Sequence, residues 1–395
     1  MEHYLDNSAT TMPSAAAKEA IIAAVDVWGN PSSVHSHGQR AASLLKESRA
    51  KVAKALGLQR FSKDMLIFTS SGTESNNIAM LGCARAKKRT PSSEGLLGTV
   101  IISAGEHPSI DNPAALLEKE GYCVIRIPTL GGKIDMAALD DALKNAPAPV
   151  IFASFMLVNN ETGAVYDVKS AVGAVKRSYP DAVVHCDAVQ GFMKLRFTPA
   201  TLGVDALTVS AHKIHSPRGA AALFISADTI KRKNIVPVMP GGGQENGFRS
   251  GTENLISISA FAAAAEDGAA HFDERVARVS ALRAYLDGQL SKKCPDLRYN
   301  KPEKYLSNIC SIILPSIKSE TMLNYLSGRG VYVSAGSACS AYSKKKSGAL
   351  EAFGTSPADA DCTLRISLSY MNDEADIDAL VSGLSDGIAN LQRKR

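Results

Sequence analysis

Short apolar runs, each followed by a polar stretch and then a helical periodicity, alternate along the chain from about residue 40 to 260. Ala41 to Leu56 has the spacing of an amphipathic helix. Met65-Leu66-Ile67-Phe68-Thr69, Val100-Ile101-Ile102, Cys123-Val124-Ile125, Val150-Ile151-Phe152, Val183-Val184-His185 and Val204 to Val209 read as strands. Runs that are apolar at every position, rather than at every second one, belong to strands covered on both faces. Their alternation with helices predicts βαβ units and a mainly parallel sheet. A helix-rich stretch follows from Leu255 to Leu290. Beyond it, strands are predicted near Ser311-Ile312-Ile313-Leu314, Gly330-Val331-Tyr332-Val333 and Thr363-Leu364-Arg365-Ile366, in a smaller α/β unit. A boundary falls near residue 265, giving a large domain over 14–265 and a small one from 1–13 and 266–395.

The 395 residues fit roughly two to three domains. With 45% apolar and 21% charged residues, the composition is that of a globular protein. A net charge of +5 over this length gives no reason to expect direct binding of nucleic acid. The basic runs, among them Lys344-Lys345-Lys346, read as solvated loops or tails. No apolar run approaches the roughly 20 residues of a membrane helix, and the first residues do not read as a signal peptide. Seven scattered cysteines with no Cys-X-X-Cys pair suit neither a disulfide framework nor a metal site. The expected location is a reducing cytoplasm, where one cysteine can serve as a reactive thiol.

Open α/β sheets bind ligands at the carboxyl ends of their strands, so the polar residues there carry the candidate chemistry. Lys213, in Ser210-Ala211-His212-Lys213-Ile214-His215, comes just after a buried strand. Lysine is rarely placed so without a partner, and its amine can form a Schiff base with pyridoxal phosphate. Asp187 ends the preceding strand, either as a helix cap or as the acid that keeps a pyridine nitrogen protonated. Ser70 to Asn77 opens a helix at Gly72 and Thr73. It suits a phosphate, and equally a capped helix without a ligand. His107 is a loop histidine or a ring-stacking one. Asn159 and Asn160 are turn formers or orient a ring hydroxyl. The glycine-rich stretch Gly241 to Thr252 is too dense in Gln, Glu and Arg for a linker. Cys339, among small residues and before three lysines, is either a buried inert thiol or a loop thiolate. Arg365, a charge inside an apolar strand, calls for a bidentate carboxylate partner.

Taken in order, these segments, together with Tyr4-Leu5-Asp6-Asn7-Ser8-Ala9-Thr10-Thr11 and Gly29-Asn30-Pro31-Ser32-Ser33-Val34-His35, resemble the cysteine desulfurases. These are pyridoxal-phosphate enzymes of the class V aminotransferase family. The resemblance runs nearly end to end. It implies the aspartate-aminotransferase-like α/β fold, with a mainly parallel seven-stranded sheet between helices in the large domain. It implies that Lys213 is the Schiff-base lysine and the base for the substrate Cα proton. Asp187 would pair with the pyridinium nitrogen, Gln190 with the ring's phenolic oxygen, and His107 would stack on the ring. Gly72, Thr73, Ser210 and His212 would hold the phosphate, and Thr252 would reach the phosphate of a neighbouring subunit in a homodimer. Asn160 and Arg365 would hold the carboxylate of L-cysteine, and Cys339 would take its sulfur as a persulfide, releasing alanine.

The sulfur would then pass to an acceptor protein. Iron–sulfur assembly, tRNA thiolation and cofactor synthesis are the destinations the resemblance leaves open. Selenocysteine lyase, an aminotransferase, and a silent sulfur-relay module are the competing readings. Asn246 stands where the family often has arginine, and Ser369 where glycine is usual. The chain stops soon after its last predicted helix, without the extension that some members use to dock a scaffold protein, which points away from general iron–sulfur assembly.

Overall fold

The computed structural model describes residues 2–58, 65–86, 91, 93, 95–336 and 348–391. Cys339 and Lys344-Lys345-Lys346 lie outside the described residues. A seven-stranded sheet runs in the spatial order Met65–Thr69, Ala221–Ile225, Ala206–Ser210, Val183–Asp187, Val150–Ser154, Thr99–Ser103, Cys123–Ile127. Ala221–Ile225 is antiparallel to both neighbours, and the other strands share one direction. Alternation along each strand divides its residues between two faces. Leu66, Ile101, Ala153, Val184 and Leu207 join one buried cluster, whereas Ile67, Val100, Phe152, Val183 and Ala206 join another. Both faces are therefore covered, which is why the strands read as unbroken apolar runs.

The strand Ala221–Ile225 was not among those singled out from the pattern, because its alanines contrast weakly with the flanking Pro-Arg-Gly-Ala. The helix predicted from Ala41 begins at Ser36, where the His35 side chain caps it by accepting from Gly38 N. The predicted helical stretch from Leu255 consists of two helices, Leu255–Ala270 and Phe272–Lys293, broken at His271.

A second core gathers Leu5 with residues from Val279 to Leu384. Its antiparallel sheet runs Ser334–Ala335, Thr363–Ser367, Ile309–Ile313, Arg298–Tyr299. The N-terminal segment belongs to this core. His3–Tyr4 pairs with Val331–Tyr332, and Leu5 is fully buried. The chain then turns toward the large sheet, where Thr11 N donates to the carbonyl of His212 and Ser14 N to that of His215. Residues 6–11 thus run between the small core and the carboxyl end of Ala206–Ser210. Among the described residues, no helix is long and apolar enough to cross a membrane.

Candidate active site

The strands that share a direction bring their carboxyl ends to one edge, and a cavity of about 520 Å³ opens there. The turn after Met65–Thr69 contributes Ser71, Gly72 and Thr73, and that after Thr99–Ser103 contributes His107. Val150–Ser154 leads to Asn160, Val183–Asp187 to Asp187 and Gln190, and Ala206–Ser210 to Ser210, His212 and Lys213. Asp6, Ser8 and Ala9 close it from the N-terminal segment, and Ser334 and Arg365 from the small core. Residues spread over most of the chain thus line one space.

Lys213 sits on a single turn, Ala211–Lys213, directly after its strand. Its Nζ donates to the carbonyls of Ser8 and Ala9, the latter at 2.7 Å. Asp187 is buried, its Oδ2 accepting from Asn76 Nδ2 at 2.9 Å and its Oδ1 from Val189 N at 3.0 Å. The same Asn76 nitrogen reaches Ser109 Oγ at 2.8 Å. Ser109 N donates to His107 Nδ1, so this nitrogen carries the lone pair and the ring proton resides on Nε2. Burial lowers the His107 pKa; Asp187 opposes that shift and Lys213 adds to it. His212, its Nδ1 beside Thr10 Oγ1, is pushed down to about 3 by burial, with Lys213, Lys194 and Arg218 adding to the effect. His107 and His212 are therefore neutral at pH 7.

The first turn of the helix Gly72–Ala84 is capped by Ser71 Oγ, which accepts from Glu74 N. An added Cβ on Gly72 would stand 3.1 Å from Val189 Cγ2, so glycine leaves the backbone open to the cavity. Ser210 Oγ, at the neighbouring strand end, is buried and makes no hydrogen bond. The glycine-rich stretch is anchored. Glu245 is buried and accepts from both Arg49 nitrogens at 2.6 and 2.7 Å and from Phe68 N at 2.8 Å. Arg249 pairs with Glu74 at 2.9 Å. Thr252, beyond it, is exposed and does not line this cavity.

Arg365 differs from expectation. A single nitrogen, Nη2, reaches Asp6 Oδ1 at 2.8 Å, while Nη1 donates to the Asn160 carbonyl at 3.1 Å, and Nε is buried without a partner. The bidentate pairing predicted for it is absent because Asp6 approaches only one edge of the guanidinium. Sequence reasoning also missed Asn76, Ser109, Glu106 and the carbonyls of Ser8 and Ala9. Glu106 Oε1 accepts from Ser103 Oγ and Met156 N, both at 2.6 Å, and burial raises its pKa to about 8. It ties two strand ends together. Six cysteines are described and none lines the cavity. Burial pushes the Cys186 thiol well up and Cys310 to about 11.

Beneath the cavity, His185 is fully buried, with Nδ1 on Ser154 Oγ at 2.9 Å and Nε2 on Thr208 Oγ1 at 3.0 Å. Burial holds its pKa near about 4. Its folded value lies below the unfolded one of about 6.5. Its contribution is therefore complete above about pH 6.5 and is lost as pH falls toward 4, amounting to about 3 kcal/mol. His215, also held near about 4, acts in the same direction. Melting temperature should fall steeply below pH 6.5, and His185→Gln should flatten that slope in thermal scans across pH.

A lysine, a buried carboxylate and an imidazole at adjoining strand ends, beside a helix N-terminus, define a pyridoxal-phosphate enzyme. The family model for Aminotransferase class-V matches residues 3–380, and the chain belongs to that family. It is 35% identical to "Cysteine desulfurase 2" of Trichormus variabilis over 96% of this chain and 91% of that one. It is 34% identical to "Cysteine desulfurase IscS" of Dictyoglomus turgidum over 99% and 95%. Its fold superimposes on a NifS-like protein from Rickettsia africae with a TM-score of 0.86, at 31% identity, covering 98% and 99% of the two chains. The cavity fits the cofactor of this family. The partnerless Ser210 hydroxyl and the open Gly72 backbone form an anion cradle, and Asp187 offers a buried charge partner for a ring nitrogen.

Proposed function

We propose that this protein is a cysteine desulfurase that converts L-cysteine to L-alanine and takes the sulfur on Cys339. The observation that carries this reading is the meeting of Lys213, Asp187 and Arg365 in a cavity whose wall includes Ser334. Cys339 stands five positions beyond Ser334 in the sequence. The described cysteines support the same choice, since they lie away from the cavity.

Lys213 would hold pyridoxal phosphate covalently, Gly72, Thr73, Ser210 and His212 its phosphate, Asp187 its ring nitrogen, Gln190 its phenolic oxygen, and His107 its ring face. Bound there, the cofactor supplies an electron sink for the Cα of the substrate. Arg365 and Asn160, which both line the cavity, would orient the substrate carboxylate. Lys213 Nζ, whose amine lines the cavity, would also be the group to accept the Cα proton. The Cys339 thiolate then forms an S–S bond as the substrate's Cβ–S bond breaks. Sulfur is oxidised to the persulfide level, Cβ is reduced to the methyl group of alanine, and cysteine plus a thiol become alanine plus a persulfide. Neutral His107, with its proton on Nε2, is placed to exchange protons at the cavity.

The large domain in this reading spans 14–265, with 1–13 and 266–395 forming the small one. A homodimer is supported by the exposed Ile22, Val25, Trp28 and Val34 near the large domain's first helices, a concentration of apolar surface unusual for a monomer. In that dimer Thr252 serves the partner's phosphate site. The persulfide is passed to an acceptor protein in the cytoplasm. Holoenzyme treated with L-cysteine without reductant tests the assignment. Peptide mass spectrometry should find one added sulfur atom on Cys339, and its appearance on another cysteine would refute the role given to Cys339.

A further inference from the structure

Gln190 and Lys194 sit on one tight turn after the strand Val183–Asp187. Phe192 anchors that turn in the core at 1% exposure, and an added Cβ on Gly191 would stand 2.7 Å from Leu157 Cδ2. The turn is thereby pressed against the sheet, and its polar side chains have little freedom. Lys194 Nζ donates to Gln190 Oε1 at 3.2 Å, and Gln190 Nε2 donates to the Ser8 carbonyl at 2.9 Å. An amine with an aliphatic stem is a donor to Oε1, and a carbonyl can only accept. The two contacts therefore agree on one orientation of the amide. Its oxygen is held from behind by Lys194, and its nitrogen end faces the cavity. One N–H goes to Ser8, which leaves the second for a ligand.

The surroundings of Lys194 are cationic. The charges of Lys213 and Arg365 act on it, and His212 and His215 feel its charge. Arg275, paired with Asp267 at 2.7 Å, lines the same small recess behind the turn. Burial, then Lys213 and Arg365, push the Lys194 amine down to about 7. A lysine kept in such a place at that cost is unlike one that merely coats a surface.

We propose that Lys194 is a positioning residue for the reaction: it fixes the Gln190 amide so that a donor N–H meets the ring oxygen of the bound cofactor. This rests on the role given above to Gln190. The donor, and the amine polarising it from behind, favour the ionised form of that oxygen. Without them the chromophore holds its proton to higher pH.

The test is the pH midpoint of the visible absorption of purified holoenzyme for wild type, Gln190→Ala, Lys194→Met, Lys194→Arg and the Gln190→Ala/Lys194→Met double variant. Gln190→Ala and Lys194→Met should each raise the midpoint by at least about half a unit. The double variant should move no further than Gln190→Ala alone, because Lys194 acts through that amide. Lys194→Arg, which keeps a donor on Oε1, should stay near wild type. An unmoved midpoint in Lys194→Met, or a shift that adds in full to that of Gln190→Ala, overturns the role of Lys194 while leaving that of Gln190 standing. An unmoved midpoint in Gln190→Ala overturns the reading of Gln190 itself. If Lys194→Met does not retain cofactor, Lys194→Arg decides, since a displacement as large as that of Gln190→Ala contradicts the proposal.

Discussion

Lys213→Ala, purified and supplied with pyridoxal phosphate, should show no lysine-linked visible band and retain no cofactor after borohydride reduction and denaturation. Alanine release from cysteine should fall by about 10³ or more, since the residue proposed as both covalent anchor and proton acceptor would be gone. The structure gives the reason for so large an effect. The amine reaches the cavity from a one-turn segment whose position is fixed on both sides, by the strand Ala206–Ser210 before it and by the Thr11 N bond to the His212 carbonyl. Its hydrogen bonds go to the carbonyls of Ser8 and Ala9, which hold it in place without taking its proton. Exogenous small amines should restore part of the proton transfer and none of the covalent retention. Borohydride-stable cofactor in the variant would contradict the assignment.

The second large effect is expected at Asp187. Two carboxylates line the cavity, and Asp6 is committed to Arg365. Asp187 is thus the one proposed to face a ring nitrogen, and Asn76 and the Val189 amide fix its two oxygens in place. Asp187→Asn keeps the shape and removes the charge. Breaking a buried charge pair costs about 2–5 kcal/mol, so kcat should fall by about 30-fold to about 5,000-fold. Steady-state kinetics with saturating cofactor measures this. Asn76→Ala should give a smaller loss of the same kind, because it loosens one of the two bonds that hold the carboxylate.

How much of this was legible beforehand depends on where the determining contacts lie. Strands such as Met65–Thr69 and Val183–Asp187 could be read because burial on both faces writes itself into consecutive residues. Lys213, Asp187, Gln190 and His107 could be placed together because each follows such a strand, and parallel strands end on one edge. Local rules do not reach the rest. Ser8 and Lys213 are 205 positions apart, and nothing near Ser8 signals that its carbonyl faces a lysine. Asn76 read as part of a phosphate loop, yet one helical turn directs it to Asp187 instead. Nothing in the sequence around Lys194 signals its place, and only the turn anchored by the buried Phe192 brings it behind Gln190. The partner expected for Arg365 exists, but the approach of Asp6 to one nitrogen could not be foreseen from a charge within a strand.

In the proposed mechanism sulfur leaves cysteine only by way of Cys339. The most direct measurement is alanine production by Cys339→Ser holoenzyme, checked first for a wild-type visible spectrum and for the spectral response to added cysteine. The expected result is an unchanged spectrum, a normal response to cysteine, and alanine at background. Alanine released at the wild-type rate by a fully loaded Cys339→Ser enzyme would contradict it.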